Sequence, residues 1–501
     1  MPAFRDGYHF YYPQVAWLHE CALQGDFFPQ WNRFDGLGAS VPGQVSTALY
    51  YPGRLILLVP TWYPSISIEQ AYSAYMAFHV ILAAAGFRLA CRILSAPQFG
   101  SLIGTCAFGL SASLVFQHCN LIYLCSASWL GFAAAGASMI ILQRGRLVGV
   151  LLLAAALAAM VLAGDPHTAV NSYLVFGLTF LVAHIRDWAT SPGWLRRVTT
   201  AGFSCLLPLV LVIGLTAIQW IPALRWAEHS SRSTLPTQPI IATADASPQV
   251  DLSDDHEFVR RVLSQLTLSR PLKYEFSLSP WHLGTAAWPL AGGFYLPENS
   301  RWFDALPAEG RTWVPTLFSG TIPLLVVLLS LKQRGPTRYL LVLMGIATYA
   351  AMGNYSLTWV LRELMSSLRL EDWAQRIPSD RSTAMYEAFN QLIPGYSNFR
   401  YPAKWLAIAS LCFSFVVALN SDQALSKIQE RLGRTHLAAA LFVAVGSLLL
   451  LCFAAALKWS ALGEWFEAQQ SSDVLLGRCE LGPAIEQLSF SALLPVFSLL
   501  A

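Results

Sequence analysis

The chain has 501 residues, of which 55% are hydrophobic and 12% are charged, with a formal net charge of +3. Soluble domains carry about 25% charged residues, so this composition, with a mean hydropathy of +0.47, excludes a soluble enzyme and a disordered chain. The charges form no basic run, which argues against nucleic-acid binding. The composition predicts a multi-pass membrane protein.

In chain order, apolar blocks predict ten transmembrane helices and one partial helix, because about 20 apolar residues cross a bilayer. Six precede a long polar stretch: Gln70–Leu89, Phe99–Phe116, Leu121–Leu142, Leu147–Leu162, Thr168–Ile185 and Thr200–Ile221. Four follow it: Val314–Leu331, Tyr339–Met352, Trp405–Leu419 and Leu437–Leu457. The partial helix is Leu488–Ala501. The predicted fold class is an all-α polytopic membrane protein.

Basic residues concentrate in alternate short loops. They are Arg88 and Arg92, Arg144 and Arg146, Arg186, Arg196 and Arg197, Lys332, Arg334 and Arg338, and Lys427, Arg431 and Arg434. The short loops 118–120 and 165–167 contain no Lys or Arg. Since Lys and Arg favour the cytoplasmic side, we expect the basic loops to be cytoplasmic and the others to face outward.

This topology divides the chain into six segments. The outer ones are 1–67, 222–313 and 353–404, and the membrane ones are 68–221, 314–352 and 405–501. We expect an interfacial helix in the first outer loop that runs to Gln24 and is ended by Gly25. We also expect an amphipathic helix at Glu257–Leu268.

Polar residues collect at this outer surface. Asp6 lies early in the first loop, where a carboxylate at the edge of a crossing helix costs desolvation unless it is used. Asp165 and His167 occupy a very short loop between two predicted crossings. Arg400 and Lys404 directly precede the helix that begins at Trp405, where they could meet an anion at headgroup depth. The alternatives are an aromatic belt with incidental charges for the first loop, snorkelling for the two cations, and a histidine satisfied by its neighbours.

Six motifs, taken in order, resemble the bacterial YfhO-like membrane protein family. They are Asp-x-x-x-x-Tyr-Tyr-Pro from Asp6, Gly-Asp-Phe-Phe-Pro-Gln-Trp-Asn from Gly25, Tyr-Tyr-Pro from Tyr50, Gly-Asp-Pro-His-Thr from Gly164, Tyr-Glu-Phe-Ser-Leu-Ser-Pro-Trp-His-Leu from Tyr274, and Gly-Tyr-Ser-Asn-Phe-Arg-Tyr-Pro-Ala-Lys from Gly395. The resemblance runs from residue 4 to about residue 420. It implies a fold similar to the C-type (GT-C) membrane glycosyltransferases. Members of the family usually have a crossing helix before the first outer loop and continue past the position of Ala501, so we expect either a shortened reading frame or a fragment.

The resemblance implies that a sugar moves from a polyprenyl-phosphate donor to a cell-envelope acceptor, outside the cytoplasmic membrane of a bacterium. This chemistry needs a carboxylate that accepts the hydroxyl proton and cations that stabilise the leaving phosphate. Asp6 is the implied base, and Asp165 is a second acid or a positioning group. Arg400, with Lys404 behind it, is implied to bind the phosphate. The further residues implied to contact the substrate are Glu275, His282, His167, Trp31 and Asn32. Alternatively, Glu275 and His282 belong to a re-entrant loop that only packs on the helix bundle.

Two questions stay open at this point. Some enzymes of this type use a divalent metal (Mg or Mn) and others do not, and one carboxylate per loop does not decide between them. A lipid-linked substrate transporter or flippase is the rival function, although the predicted crossings contain few ionisable residues, His79 being the main exception. A non-catalytic scaffold of an envelope-assembly complex is the third alternative.

Overall fold

A computed structural model gives the fold. It describes residues 6–35, 38–190, 194–228, 272–294, 299–306, 312–378, 383–430, 434–459, 464 and 479–500. The described elements are helices and helical turns, apart from one antiparallel ribbon in which β1 (Trp31–Asn32) pairs with β2 (Ala39–Ser40). The all-α class is therefore confirmed for these residues. The predicted helix Glu257–Leu268 lies outside them.

The α-helices of the first half of the chain are α1 (Tyr12–Leu23), α2 (Val59–Trp62), α3 (Ile68–Ile93), α4 (Gln98–Gly109), α5 (Ala112–Val115), α6 (Leu121–Ala127), α7 (Leu130–Ile141), α8 (Arg146–Leu162), α9 (Pro166–Thr190), α10 (Trp194–Leu215) and α11 (Ala217–Glu228). Those of the second half are α12 (Thr321–Ser330), α13 (Pro336–Met352), α14 (Leu357–Ser367), α15 (Glu371–Arg376), α16 (Met385–Leu392), α17 (Trp405–Glu430), α18 (Arg434–Trp459) and α19 (Leu481–Leu500). Short 3-10 or π turns are Gly7–Tyr11, Val45–Thr47, Pro52–Leu58, Phe116–Cys119, Leu272–Tyr274, Pro280–Ala286, Trp302–Ala305, Tyr396–Asn398 and Pro402–Lys404.

Each predicted crossing coincides with helix, but several are interrupted. The block Leu121–Leu142 forms two helices, α6 and α7, which are separated at Ser128 and Trp129. The block Thr200–Ile221 forms parts of α10 and α11, whose axes differ by 69°. The block Val314–Leu331 contributes only the shorter α12, because Pro315 and the positive φ of Gly320 (108°) precede it. Apolar composition thus located the helices but not their breaks.

Among the described residues, four helical stretches are long and apolar enough to cross a membrane: Ile68–Ile93, Gln98–Cys119, Leu121–Ile141 and Pro402–Ala424. The number rises to six when each of two bent helix pairs is counted as one span. These helices support a multi-pass membrane protein. The count of ten crossings stays a prediction.

The described part of the first loop contains the π turn Gly7–Tyr11 and the helix α1, so a helix is present where one was predicted. Its interfacial position stays a prediction. The helix ends at Leu23, and Gly25 adopts φ +87° directly after it. Glycine suits this position because it takes a left-handed conformation without the strain of a side chain.

The helices of the first half pack closely through small residues. A Cβ atom on Gly131 of α7 would lie 2.2 Å from the backbone nitrogen of Phe87 in α3. Backbones approach this closely only where one of them lacks a side chain, as in the small-residue interfaces of membrane helices. The buried cluster around Phe87 extends to Phe415 of α17, whose ring stacks 4.6 Å away. α17 therefore joins the two halves of the bundle.

The three predicted outer segments contact one another at one end of this bundle. The Tyr401 amide donates to the Lys273 carbonyl at 3.2 Å, which joins the second and third outer segments. The Trp31 and Trp226 rings, with centroids 6.0 Å apart, join the first and second outer segments. At the other end, Arg144 donates to the Ile93 carbonyl at 3.0 Å. The two basic loops around Arg92 and Arg144 thus contact each other.

Candidate functional site

The loop between α8 and α9 is a tight turn that ends in Asp165. Gly164 has φ +100°, and a Cβ atom there would lie 2.6 Å from the Val45 carbonyl oxygen, so only glycine fits. Asp165 comes directly before α9 and is 1% exposed. Its Oδ2 accepts a hydrogen bond from the Thr168 hydroxyl, one turn later, at 2.5 Å. The local sequence therefore fixes this carboxylate at the start of a helix.

Lys404 reaches the same point from a distant part of the chain. It ends the turn Pro402–Lys404, which leads into α17, and its Nζ lies 2.7 Å from Asp165 Oδ1. The Lys404 side chain is 10% exposed, and its ammonium lies 4.2 Å from the centre of the Tyr123 ring. The two charges form a largely buried ion pair, which an aromatic face supports.

The ion pair keeps Asp165 ionised. Burial by itself raises the pKa of Asp165, but the Lys404 ammonium and the hydrogen bonds from Lys404 and Thr168 outweigh it, so the pKa lies below its ordinary value. Both of its oxygens have partners. A carboxylate that already has an ion pair and a hydrogen bond is a weak proton acceptor. The geometry therefore suits Asp165 to holding Lys404 in place.

A second buried network centres on the Tyr396 hydroxyl. It donates to Asn171 Oδ1 at 2.8 Å and accepts from the Trp405 indole nitrogen at 2.9 Å. His167 Nε2 lies 2.9 Å from the same hydroxyl, within hydrogen-bond distance. The His167 ring also stacks on Phe399 with centroids 4.6 Å apart. These contacts make His167 a buried structural residue that holds the 396–405 segment against α9.

Asp6 lies close to this pair and is exposed. Its carboxylate caps no backbone amide, and it has no hydrogen bond or ion pair with the described residues. Burial, and after it the charges of Asp6 and Asp165, raise the pKa of Tyr11 well above its ordinary value. Two carboxylates from loops far apart in sequence therefore lie within electrostatic range of one phenol.

Arg400 and Lys404 differ in what their charges contact. Lys404 is paired with Asp165, whereas the half-buried Arg400 has no side-chain hydrogen bond or ion pair among the described residues. Of the two cations predicted to bind phosphate, Arg400 is the one whose donors are available. It lies four residues before Lys404 in the sequence.

Other predicted residues lie elsewhere. Trp31 and Asn32 belong to β1, where Trp31 contacts Trp226 and Asn32 accepts from the Phe34 amide. His282 is buried in the turn Pro280–Ala286, where burial and the nearby Arg301 charge lower its pKa to about 3. Glu275 is half-buried in the preceding segment and interacts with neighbouring groups. None of their described contacts is with the ion pair.

Sequence reasoning missed the residues that surround the pair. Thr168 stands three positions after Asp165, a spacing typical of helix-start contacts, and could have been found from it. Tyr123, Tyr396 and Asn171 carry no such signal, because only the packing of distant helices brings them to Lys404 and His167.

The described residues do not fit a divalent metal. No three His, Cys, Asp or Glu side chains come together among them. The Asp165 oxygens already contact Lys404 and Thr168, which leaves Asp6 as the available carboxylate near the pair. We therefore derive no step through a metal.

Comparison with protein-family models, with curated proteins and with solved structures finds no match to this chain.

Proposed function

We propose that this protein is a membrane-embedded glycosyltransferase. It moves a sugar from a polyprenyl-phosphate donor to a hydroxyl of a cell-envelope acceptor, on the extracytoplasmic face of a bacterial cytoplasmic membrane. The six ordered motifs and their resemblance to the YfhO-like family support this assignment. So does the clustering of the motif residues Asp6, Asp165 and Lys404 at one end of the bundle.

One contrast carries the proposal. The buried Asp165 and Lys404 neutralise each other, while the exposed Asp6 carboxylate and the Arg400 guanidinium have no charged partner among the described residues. Unpaired charges at the edge of a membrane helix are costly unless a substrate uses them. A proton acceptor and an anion-binding group around a fixed pair are what glycosyl transfer from a lipid phosphate requires.

The reaction divides between the two unpaired groups. As the acceptor oxygen attacks the anomeric carbon, Asp6 accepts its proton, which contributes typically a hundred- to ten-thousand-fold to the rate. The bond between the anomeric carbon and the phosphate oxygen breaks, and the phosphate leaves with the bonding electrons. Arg400 stabilises that charge with two parallel hydrogen bonds.

The Asp165–Lys404 pair positions these groups. It joins the start of α9 to the start of α17, and Arg400 lies just before that junction. Replacement of either partner would leave a buried charge and disturb the loop that carries Arg400. In this proposal Asp165 acts through Lys404 and does not touch the substrate.

An apolar cavity between the described membrane helices does not favour transport. It has a volume of about 220 Å³ and is bounded by apolar and hydroxyl-bearing side chains such as Leu130, Ser172, Phe176 and Tyr339. A transporter places charged residues on its pathway, and no Asp, Glu, His, Lys or Arg lines this cavity.

The test is sugar transfer by the purified protein in lipid nanodiscs, with a panel of radiolabelled polyprenyl-phosphate sugars and envelope extract as acceptor. Asp6→Asn should lose at least a hundredfold of the parent rate. The matched control is Asp26→Asn in the same loop. Asp26 is exposed and accepts from the Phe28 amide, a contact that asparagine retains. Transfer by Asp6→Asn at the parent rate, or no transfer from any donor, would contradict the proposal.

A further inference from the structure

α14 is a strongly one-sided helix that the rest of the described protein does not cover. Leu357, Leu361, Leu364 and Leu368 recur at the three- and four-residue spacing that forms one stripe on a helix. They are between 39% and 58% exposed. No residue of α14 is buried.

Other side chains of α14 contact the protein. Trp359 packs against Tyr355 with ring centroids 4.8 Å apart, and the Thr358 hydroxyl lies 3.1 Å from that of Thr383. The contacts that hold α14 therefore involve other side chains and the Leu357 backbone amide, which donates to the Tyr349 hydroxyl at 3.1 Å. The leucine stripe points away from the bundle.

The direction of α14 is set by the membrane helix before it. Taken together, α13 and α14 are long and apolar enough to cross a membrane, yet their axes are bent by 69° at a short break between them. If α14 continued across the membrane, Arg362 and Glu363 would lie in hydrocarbon, which is costly. A helix that turns through 69° from a crossing helix lies nearly in the membrane plane.

We infer that α14 is an interfacial helix whose leucine stripe inserts into the boundary between headgroups and acyl chains of the bilayer. Apolar side chains on one face, with polar and charged residues on the other, are the pattern of helices that lie in this plane. The segment from α14 to α15 has three basic residues (Arg362, Arg369 and Arg376) and three acidic ones (Glu363, Glu371 and Asp372). Its balanced charge means that the acyl chains, not anionic headgroups, supply the binding energy.

This placement fixes the membrane level of the candidate site. Gly353 ends α13, and a Cβ atom on it would lie 2.5 Å from Pro402 Cγ. Pro402 begins the turn that carries Lys404, so the end of α13, the start of α14 and the ion pair lie at the same level. Arg400 is thereby held at headgroup depth. The inference rests on the membrane assignment and stands without sugar transfer.

The experiment compares two exposed positions on opposite faces of α14. An environment-sensitive fluorescent amino acid replaces Leu364 on the stripe or, as the matched control, Ser366 on the polar side. The full-length protein is placed in phosphatidylcholine nanodiscs and quenched either by brominated acyl chains or by aqueous iodide. We expect acyl-chain bromine to quench the probe at 364 several-fold more than the one at 366, and iodide to show the reverse order.

Two results would overturn the inference. Equal iodide quenching at both positions would place the stripe in water, and a probe at 364 that neither quencher reaches would mean that another protein segment covers it. Replacing part of the phosphatidylcholine with phosphatidylglycerol should leave the quenching at 364 unchanged. A large increase would instead assign the binding energy to headgroup charge.

Discussion

Lys404 Nζ lies 2.7 Å from Asp165 Oδ1, although 239 positions of sequence separate the two residues. The pair lies where α9 and α17 both begin, and the charges of Asp165 and of the exposed Asp6 both act on Tyr11. The charges of Lys404 and Asp165 neutralise each other inside the protein. The unpaired charges of Asp6 and Arg400 remain available for a substrate. The first prediction concerns this pair.

Breaking the pair from one side should destabilise the protein. Lys404→Met leaves the Asp165 carboxylate buried without a counter-charge, and the loss of one partner costs about 3–5 kcal/mol. Asp165→Asn in the same protein removes the stranded charge and should restore most of that loss. The measurement is the free energy of unfolding in mixed micelles. Lys332→Met, which removes an exposed lysine, is the control and should change it by less than about 0.5 kcal/mol. Additive losses in the double variant would contradict the pairing.

His282 should make stability depend on pH. Its pKa is lowered from 6.5 to about 3 by burial and by Arg301, so the folded protein keeps it neutral where the unfolded chain protonates it. Stability is therefore lost as the pH falls from about 6.5 towards 3, at up to about 1.4 kcal/mol per pH unit. His282→Gln should reduce the slope by the contribution of His282, while the buried His167, whose pKa burial also lowers to about 3, keeps its own contribution. His9→Gln, at an exposed position, should leave the slope unchanged. Unfolding midpoints between pH 7 and 5 provide the measurement. Identical slopes for parent and His282→Gln would refute the buried neutral state.

Arg400 should be required for use of the donor. Arg400→Lys keeps the charge but loses the two-pronged geometry and should raise the KM for the polyprenyl-phosphate sugar. Arg400→Ala should cost more, about 1.5–3 kcal/mol for a lost charged hydrogen bond. The comparison is the transfer rate against donor concentration at equal protein abundance, with Arg33→Ala as an exposed control. If lysine performs as well as arginine, Arg400 is a membrane anchor.

The two ends of the bundle should face opposite sides of the membrane. Cysteine at exposed Ser397, next to the candidate site, should react with a membrane-impermeant maleimide in spheroplasts. Cysteine at exposed Ser426, near the end of α17, should react only after permeabilisation. The parent protein, with its own nine cysteines, gives the background. The reverse pattern would invert the orientation and overturn the assignment of the site to the outer face.

The sequence by itself determined the class of this protein and the location of its helices. Apolar blocks mark helices because a bilayer demands about 20 apolar residues for each crossing, and the blocks coincide with observed helices. Local chemistry also determined α1 and its end shortly before Gly25, since glycine takes a positive φ without strain and so favours the end of a helix.

Tertiary structure alone decided what each polar residue does. Sequence placed Asp165, His167, Arg400 and Lys404 on one surface, but it could not tell which charges cancel and which stay available. That depends on the packing of α9 against α17, which neutralises Lys404 with Asp165 and buries His167 under Tyr396. A charge in low dielectric is governed by its nearest partner within a few ångströms, and here that partner comes from another segment of the chain.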